Sequence, residues 1–399
     1  MARTFVVDNK LDTRIPYLRG IMTRSLQKAG LTFEAAYTLA TTLRDDINHL
    51  DEIGTLELRN RVIRILEEQF EASVSKRYQA DWIQNRSVLI RSLDRSARLF
   101  SRRLHNQRLQ ALGIPEQQAR EISNRLHHEL LSRGMTEISS RQLGHLTHRA
   151  ISREIGGRMA QIYLNWVAFR RSGHPLIVLI GGAPGVGKST LSVDLASRIE
   201  IVRTQSTDML RDVMCMLMPE RLAPVLHKPA ITAWQALPGS DISTRLDPNS
   251  AIADGYRAQA ELISVPCEAV VQRALREKVS LILEGVHIQP TLLERMRPDD
   301  SAVVVPLMLA VVNPDELSRR IRNAGGLLPQ LQAGDDLRYF DGIWHLQSLL
   351  LAEAEQIGTS IINSTDQETA VQDAIRIIMQ AIAPKRDMDA DAVFGPFGS

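Results

Sequence analysis

The stretch LIVLIGGAPGVGKSTL, Leu176–Leu191, decides how the rest of the chain is read. An apolar run, Leu176 to Ile180, enters a glycine-rich turn. The spacing Gly182, Gly187, Lys188, Ser189 then satisfies the phosphate-binding loop pattern before a helical register begins. Such a loop needs glycines because its backbone N–H groups must curl around phosphate oxygens, in conformations a side chain obstructs. Gly182, Gly185, Val186, Gly187, Lys188, Ser189 and Thr190 are therefore expected to hold nucleotide phosphates. Lys188 would reach the β- and γ-phosphates as a point charge, and Ser189 would place its hydroxyl on Mg2+. The helix after the loop presents its positive N-terminal end to the anion.

Beyond the loop the pattern continues as strand and helix. Short apolar runs fall at 201–204, 279–283, 302–312 and 359–362, and a long, mostly helical insertion precedes the second of them. Continuous apolar runs separated by helices are what strands covered on both faces of a parallel sheet require. The expected fold class is α/β, a P-loop parallel-sheet sandwich of nucleotide-kinase type over 173–383, with ligands at the carboxyl ends of its strands.

Three groups fall at such strand ends. Asp208, in Ser206-Thr207-Asp208, can orient or deprotonate an acceptor hydroxyl, and Arg211 one turn later can hold an anionic substrate. A helix-capping role for Thr207 or Asp208 is the competing reading. Glu284 ends the run Leu281-Ile282-Leu283, where a carboxylate can position Mg2+ or orient the acceptor, or serve the structure alone. His287 is a weaker candidate just past it. In Asn313–Arg322, Asn313 caps a helix with Pro314 at its first position and Glu316 completing a capping box. Arg319 and Arg322 share a face that would close over the phosphates as a lid hinged at Gly325-Gly326, or would be a solvated basic face. Lys188, Asp208, Glu284, Arg319 and Arg322 are the catalytic candidates, and Ser189 and Glu284 the metal candidates.

The preceding half, 1–172, reads as mainly helical. Thr4 to Val7 alternates; Leu18, Ile21, Met22 and Leu26 recur at helical spacing up to Gly30; Thr32 caps the next helix. Trp82 to Leu109 reads as one amphipathic helix with Arg91, Arg95, Arg98 and Arg102 in a stripe. No aromatic residues interleave that stripe for base stacking, which argues against nucleic acid. GIPEQQAREISNRLHHELL, from Gly113, echoes GLTFEAAYTLATTLRDDI, from Gly30, with Ala119 matching Ala36, so the front half is expected to be a tandem pair, 1–85 and 86–172. Its histidines show no metal-ligand spacing and read as packed or exposed. The tail 384–399 has little core-forming capacity and is expected to be disordered.

Composition sets the remaining bounds. The 399 residues suit two or three domains. Cys215 and Cys267 stand alone, which indicates neither a disulfide framework nor a zinc site, and a reducing cytoplasm is the expected setting. No secretory leader or membrane span is apparent. Residues 1–175 carry about +10 and the remainder about −8, which fits helix faces pairing across an interface or an anion-binding front half.

Several of these stretches resemble known families. The β-ribbon-like start, RGIMTRSL and AGLTFEAAYTLA resemble an ATP-cone, a regulatory nucleotide-binding module, though the turn DNKLDT lacks the glycine usual there. IGGAPGVGKSTLSVDLASR, STDMLRDVM, LHKPAITAWQAL and AVVQRALREKVSLILEGVHIQP, with Asn363 after the last strand, together resemble the 2-phosphoglycerate kinase family, P-loop kinases often preceded by a cone-like domain. The resemblance implies use of ATP and Mg2+ to phosphorylate the 3-hydroxyl of 2-phosphoglycerate, giving 2,3-bisphosphoglycerate. It implies that His227 and Thr232 shape the acceptor pocket beside Asp208 and Arg211, that Asn363 lies near the nucleotide base, and that a regulatory nucleotide binds the front half. The front half is longer than one cone, and Trp344 stands where relatives tend to carry arginine. Another phosphorylated or polyol acceptor, a non-catalytic ATP sensor and a homo-oligomer all stay open on the sequence.

Overall fold

The computed structural model describes residues 4–8, 13–84, 88–92, 96–133, 135–238, 248–289, 292, 302–323, 336–384 and 388–397. The front half contains the same element order twice. The first run is β1 (Phe5–Asp8), β2 (Thr13–Pro16), α1 (Arg19–Lys28), α2 (Phe33–Ile47), β3 (Glu52–Gly54), α3 (Thr55–Gln69) and α4 (Ala72–Gln84). The second is β4 (Leu89–Arg91), β5 (Ala97–Leu99), α5 (Arg102–Gln110), α6 (Glu116–Ser132), β6 (Glu137–Ser139), α7 (Ser140–Glu154) and α8 (Gly157–Ser172). In each run the first strand is central, antiparallel to the second and parallel to the third: Val6 lies opposite Ile15 and Ile53, and Ile90 opposite Arg98 and Ile138. Gly30 and Gly113 both adopt positive φ, and Ala36 and Ala119 are both fully buried, so the sequence echo marks equivalent places in two copies of one motif.

The single helix expected over 82–109 does not form. Residues 89–91 and 97–99 are instead a strand pair, because β4 takes a parallel partner, β6, from more than forty residues downstream, and a short window cannot register such a partner. The arginine stripe is thereby dispersed. Arg91 pairs with Glu137 across the sheet and Arg102 opens α5, while Arg95 lies outside the described residues.

The P-loop region comprises β7 (Leu176–Gly181), α9 (Lys188–Ile199), β8 (Arg203–Ser206), α10 (Thr207–Leu217), α11 (Pro248–Glu277), β9 (Leu281–Glu284), β10 (Val303–Ala310), α12 (Pro314–Asn323), α13 (Asp336–Gln356), β11 (Ser360–Asn363), α14 (Gln367–Ala381) and α15 (Ala390–Phe394). Its five strands are all parallel, in the order β11-β10-β7-β9-β8. Alternate residues of β7 enter different cores: Leu176, Val178 and Ile180 lie in one apolar cluster, Ile177 and Leu179 in the other. That is why an unbroken apolar run is required there.

The chain divides into two compact units, residues 1–100 with 125–140, and residues 101–124 with 141–399. The sequence pattern places boundaries at 85, 172 and 383. Leu109, Ile114, Ile122, Ile151 and Ala160, all before 172, instead share one core with the P-loop sheet. The tail also departs from expectation. Val393 and Phe394 of α15 are buried against Leu164 of α8, and His145 Nε2 donates to Gly395 O at 2.7 Å. Two apolar anchors and an Asp389 cap suffice to order a helix too short to be legible as one. Among the described residues, no helix is long and apolar enough to cross a membrane.

Candidate active site

Four of the elements converge at the carboxyl end of the sheet. β7 delivers the loop, which α9 continues from Gly187. Gly182, Gly185 and Gly187 have φ of 139°, 83° and 92°. The first also lies so close to β10 that a Cβ there would sit 2.6 Å from Leu309 O, so the turn into the loop demands glycine. Val186 is buried under the loop, whereas Gly185, Ser189 and Thr190 are exposed at its mouth. Lys188 is 8% exposed and its Nζ donates to Ala183 O at 2.9 Å, holding the ammonium across the loop. Burial lowers its pKa, against opposing pulls from Glu284 and Asp208.

Glu284 closes β9 beside the loop. Its Oε1 accepts the Ser189 hydroxyl at 2.9 Å, and it is 6% exposed. Desolvation raises its pKa, opposed by the Lys188 charge and the Ser189 hydrogen bond. Ser189 and Glu284 therefore form a hydroxyl and carboxylate pair of the oxygen type a hard divalent cation takes. Among the described residues no cluster of three or more His, Cys, Asp or Glu forms a metal site of its own. A cation here would complete its shell with phosphate and water.

On the same side of the loop, one strand beyond β9, Ser206 caps α10, its Oγ accepting Asp208 N at 3.1 Å. The competing role assigned to Thr207 or Asp208 is thus filled by their neighbour, and the Asp208 carboxylate is left 61% exposed. Its charge acts on both Lys188 and Glu284. Arg211 lies one turn along. Its Nη2 is 3.5 Å from Asp212, while its Nε is buried with no hydrogen-bond partner among the described residues. A buried, unsatisfied donor costs about 1–3 kcal/mol, more when charged, so the guanidinium is set for an acceptor from outside the chain. His227 and Thr232 are more committed: His227 Nε2 donates to Met218 O at 2.8 Å and Thr232 Oγ1 to Pro229 O at 3.2 Å, which shapes the turns beside α11.

The arginine helix, α12, follows β10. Asn313 does cap it, Oδ1 accepting from Asp315 N and Glu316 N, but Glu316 turns to Arg319 and Arg320 instead of closing a capping box. Arg319 and Arg322 lie on the exposed side of the helix. Arg320 is the one beside the loop: it donates to Glu316 at 2.7 Å, Ser364 O at 2.9 Å and Thr365 O at 2.8 Å, and its Nη1 is 3.7 Å from where a Cβ on Gly187 would lie. Gly325-Gly326, the expected hinge, lies outside the described residues. Asn363 ends β11, its Oδ1 accepting from Thr365 N and Oγ1, and so builds the turn next to the loop. Two further residues tie the site together: Ser364, which pattern reading missed, and His287, the weaker candidate past Glu284. Ser364 Oγ donates to Val186 O at 2.6 Å, locking the loop to β11. His287, held at 0% exposure, bridges Thr207 and Gln259 at 3.0 Å each.

A five-stranded parallel sheet, a glycine cradle with its buried lysine, and two carboxylates at the ends of the neighbouring strands β9 and β8 define a P-loop phosphotransferase. Comparison with known proteins narrows the class. The 2-phosphoglycerate kinase of Methanopyrus kandleri is 31% identical over 282 residues, covering 70% of this chain and 83% of that protein. Those of Pyrococcus furiosus and Pyrococcus horikoshii are 26% and 28% identical, over 75% and 70% of this chain and 98% and 90% of their own. The chain belongs to the 2-phosphoglycerate kinase family. No protein-family profile matches the sequence. A shikimate kinase structure from Bacteroides thetaiotaomicron is similar at 18% identity with a TM-score of 0.33, over 51% of this chain and 97% of that one.

Proposed function

We propose that the protein transfers the γ-phosphoryl group of ATP to the 3-hydroxyl of 2-phosphoglycerate, yielding ADP and 2,3-bisphosphoglycerate. The observation that carries this reading is Arg211, an arginine with a buried unsatisfied donor on the same helical turn as an exposed carboxylate facing the phosphate loop. An acceptor needs an anionic group for Arg211 and a hydroxyl for Asp208, and a phosphorylated hydroxy acid has both. The name its relatives carry, 2-phosphoglycerate kinase, supports that acceptor.

In the reaction the acceptor oxygen attacks the γ-phosphorus, the bond to the bridging oxygen breaks, and ADP leaves. Because the transition state is loose, positioning and charge neutralisation dominate over deprotonation. Asp208 orients the hydroxyl and takes its proton as the P–O bond forms. Lys188 and the backbone N–H groups of 182–190 hold the β- and γ-phosphates and counter the charge that develops. Mg2+, held through Ser189 and Glu284, would neutralise phosphate charge and fix its orientation. Arg320 fixes the turn after β11 against the loop, with Asn363 toward the base, and Arg319 and Arg322 remain available for a closing movement of α12. The front-half repeats are the proposed regulatory nucleotide module, and ATP with a small anionic acceptor are the proposed partners. The test is ADP release in the presence of 2-phosphoglycerate, 3-phosphoglycerate, glycerate and no acceptor. Release that depends on 2-phosphoglycerate and is abolished in Lys188→Ala and Asp208→Asn supports the reading; wild-type turnover by Asp208→Asn removes that residue from the mechanism.

A further inference from the structure

We infer that His287 is a positioning residue, the middle of a buried hydrogen-bond relay that joins the turn beside the acceptor pocket to Asp208; the inference rests on the reaction proposed above. The relay begins in α11. Gln259 Nε2 donates to Val225 O at 2.5 Å and to Lys228 O at 2.8 Å. Both amide protons are spent on the turn that carries His227, so the amide oxygen is what faces His287 Nε2 at 3.0 Å. An amide oxygen only accepts, which puts the imidazole proton on Nε2. The bare Nδ1 must then accept, and the donor in reach is Thr207 Oγ1 at 3.0 Å. Thr207, Gln259 and His287 are all 0% exposed, and each polar atom named has its partner.

Thr207 is the first residue of α10 and the chain neighbour of Asp208. Asp208 Oδ1 is 4.0 Å from His287 Nδ1, beyond hydrogen-bond reach, so the imidazole acts on the carboxylate through Thr207. The Asp208 side chain is exposed, and its place is set by the two residues before it: Ser206, which receives its N–H, and Thr207, fixed by the relay. Gly285 makes room for this. A Cβ there would stand 1.8 Å from Thr207 Oγ1, so the hydroxyl occupies space that only glycine leaves. The turn beside the acceptor and the carboxylate that addresses its hydroxyl are thereby held in one frame. Displacements of about 1 Å in such a frame cost catalysis up to about a hundredfold.

The test compares Thr207→Val, which keeps the shape and removes the hydroxyl, with Thr207→Ser, which keeps the hydroxyl. Expected is a fall in kcat of about tenfold or more in Thr207→Val, with the KM for ATP within about twofold of wild type, and recovery of most of the loss in Thr207→Ser. Equal kcat in wild type and a folded Thr207→Val overturns the inference, as does a loss that Thr207→Ser does not recover. Nitrogen-15 spectra of histidine-labelled protein, with the His287 signals assigned from their loss in His287→Gln, read the relay without any acceptor. A protonated Nε2 and a bare Nδ1 that shifts in Thr207→Val support it, and a protonated Nδ1 contradicts it. Wild-type turnover of 2-phosphoglycerate is the separate control. Its absence refutes the proposed reaction, while the tautomer still decides the relay.

Discussion

Acidification from pH 8 to pH 5 will destabilise the larger compact unit through two histidines. His105 is bonded to Ser123 at 2.8 Å and Thr147 at 3.1 Å, and His287 to Thr207 and Gln259. Burial, which penalises the imidazolium, brings both pKa values down from 6.5 to about 4. The folded state therefore keeps these rings neutral while the unfolded chain takes up protons below its ordinary pKa. Their contribution is fully present above pH 6.5 and is lost as the pH falls toward 4. That depression corresponds to about 3 kcal/mol per histidine at the acid limit, of which about 2 kcal/mol is already lost at pH 5. Urea unfolding at both pH values, for wild type, His105→Gln and His287→Gln, reads this directly. Each glutamine variant starts from a lower stability at pH 8 but loses about 2 kcal/mol less than wild type on going to pH 5. Equal losses in wild type and both variants would refute the claim that these rings are held neutral.

Other substitutions probe the site. Ser364→Ala removes the donor to Val186 O and leaves that carbonyl buried and unpaired, so stability should fall by about 1–3 kcal/mol and the KM for ATP should rise. Gly285→Ala must adopt φ near +153° and place a Cβ against Thr207. About 1–3 kcal/mol of backbone strain adds to the overlap, and a melting temperature equal to wild type would show that the close approach is absent. Arg211→Ala should raise the KM for the acceptor far more than that for ATP, with Arg211→Lys recovering only part because it lacks the planar fork. Arg320→Ala should weaken ATP binding more than Arg319→Ala does, since only Arg320 reaches the turn after β11.

Most of the P-loop region was legible because its signals are local. The run Leu176–Ile180 marks a strand buried on both faces, and the loop spacing fixes the start of the helix after it. The apolar runs ending near Glu284, Val312 and Asn363 likewise correspond to β9, β10 and β11. The echo between Gly30 and Gly113 was legible too, because a positive-φ glycine and a small buried alanine constrain each copy alike. The features that escaped depend on distant partners. The β4–β5 pair owes its conformation to β6, and a helical period of arginines was the stronger local pattern. Choosing Arg320 over Arg319 and Arg322 requires knowing that α12 packs beside the turn after β11. Ser364 carries no motif at all and His287 shows in the sequence only as a weaker candidate past Glu284; the roles of both exist through bonds to Val186, Thr207 and Gln259.

Charge asymmetry between the halves has a partial structural counterpart in Arg108 and Arg170, which both approach Glu200, at 3.7 Å and 2.9 Å. These are partly solvated pairs and contribute little stability each. They agree with helix faces pairing across the chain's two halves more than with a dedicated anion site.

The identity of the acceptor is the central claim, and phosphorus-31 spectra of the protein with ATP, Mg2+ and 2-phosphoglycerate test it most directly. A second monoester resonance is expected to grow on the acceptor in step with ADP, and none with glycerate. ADP accompanied only by inorganic phosphate, or no change at all beside a folded protein, would contradict the claim.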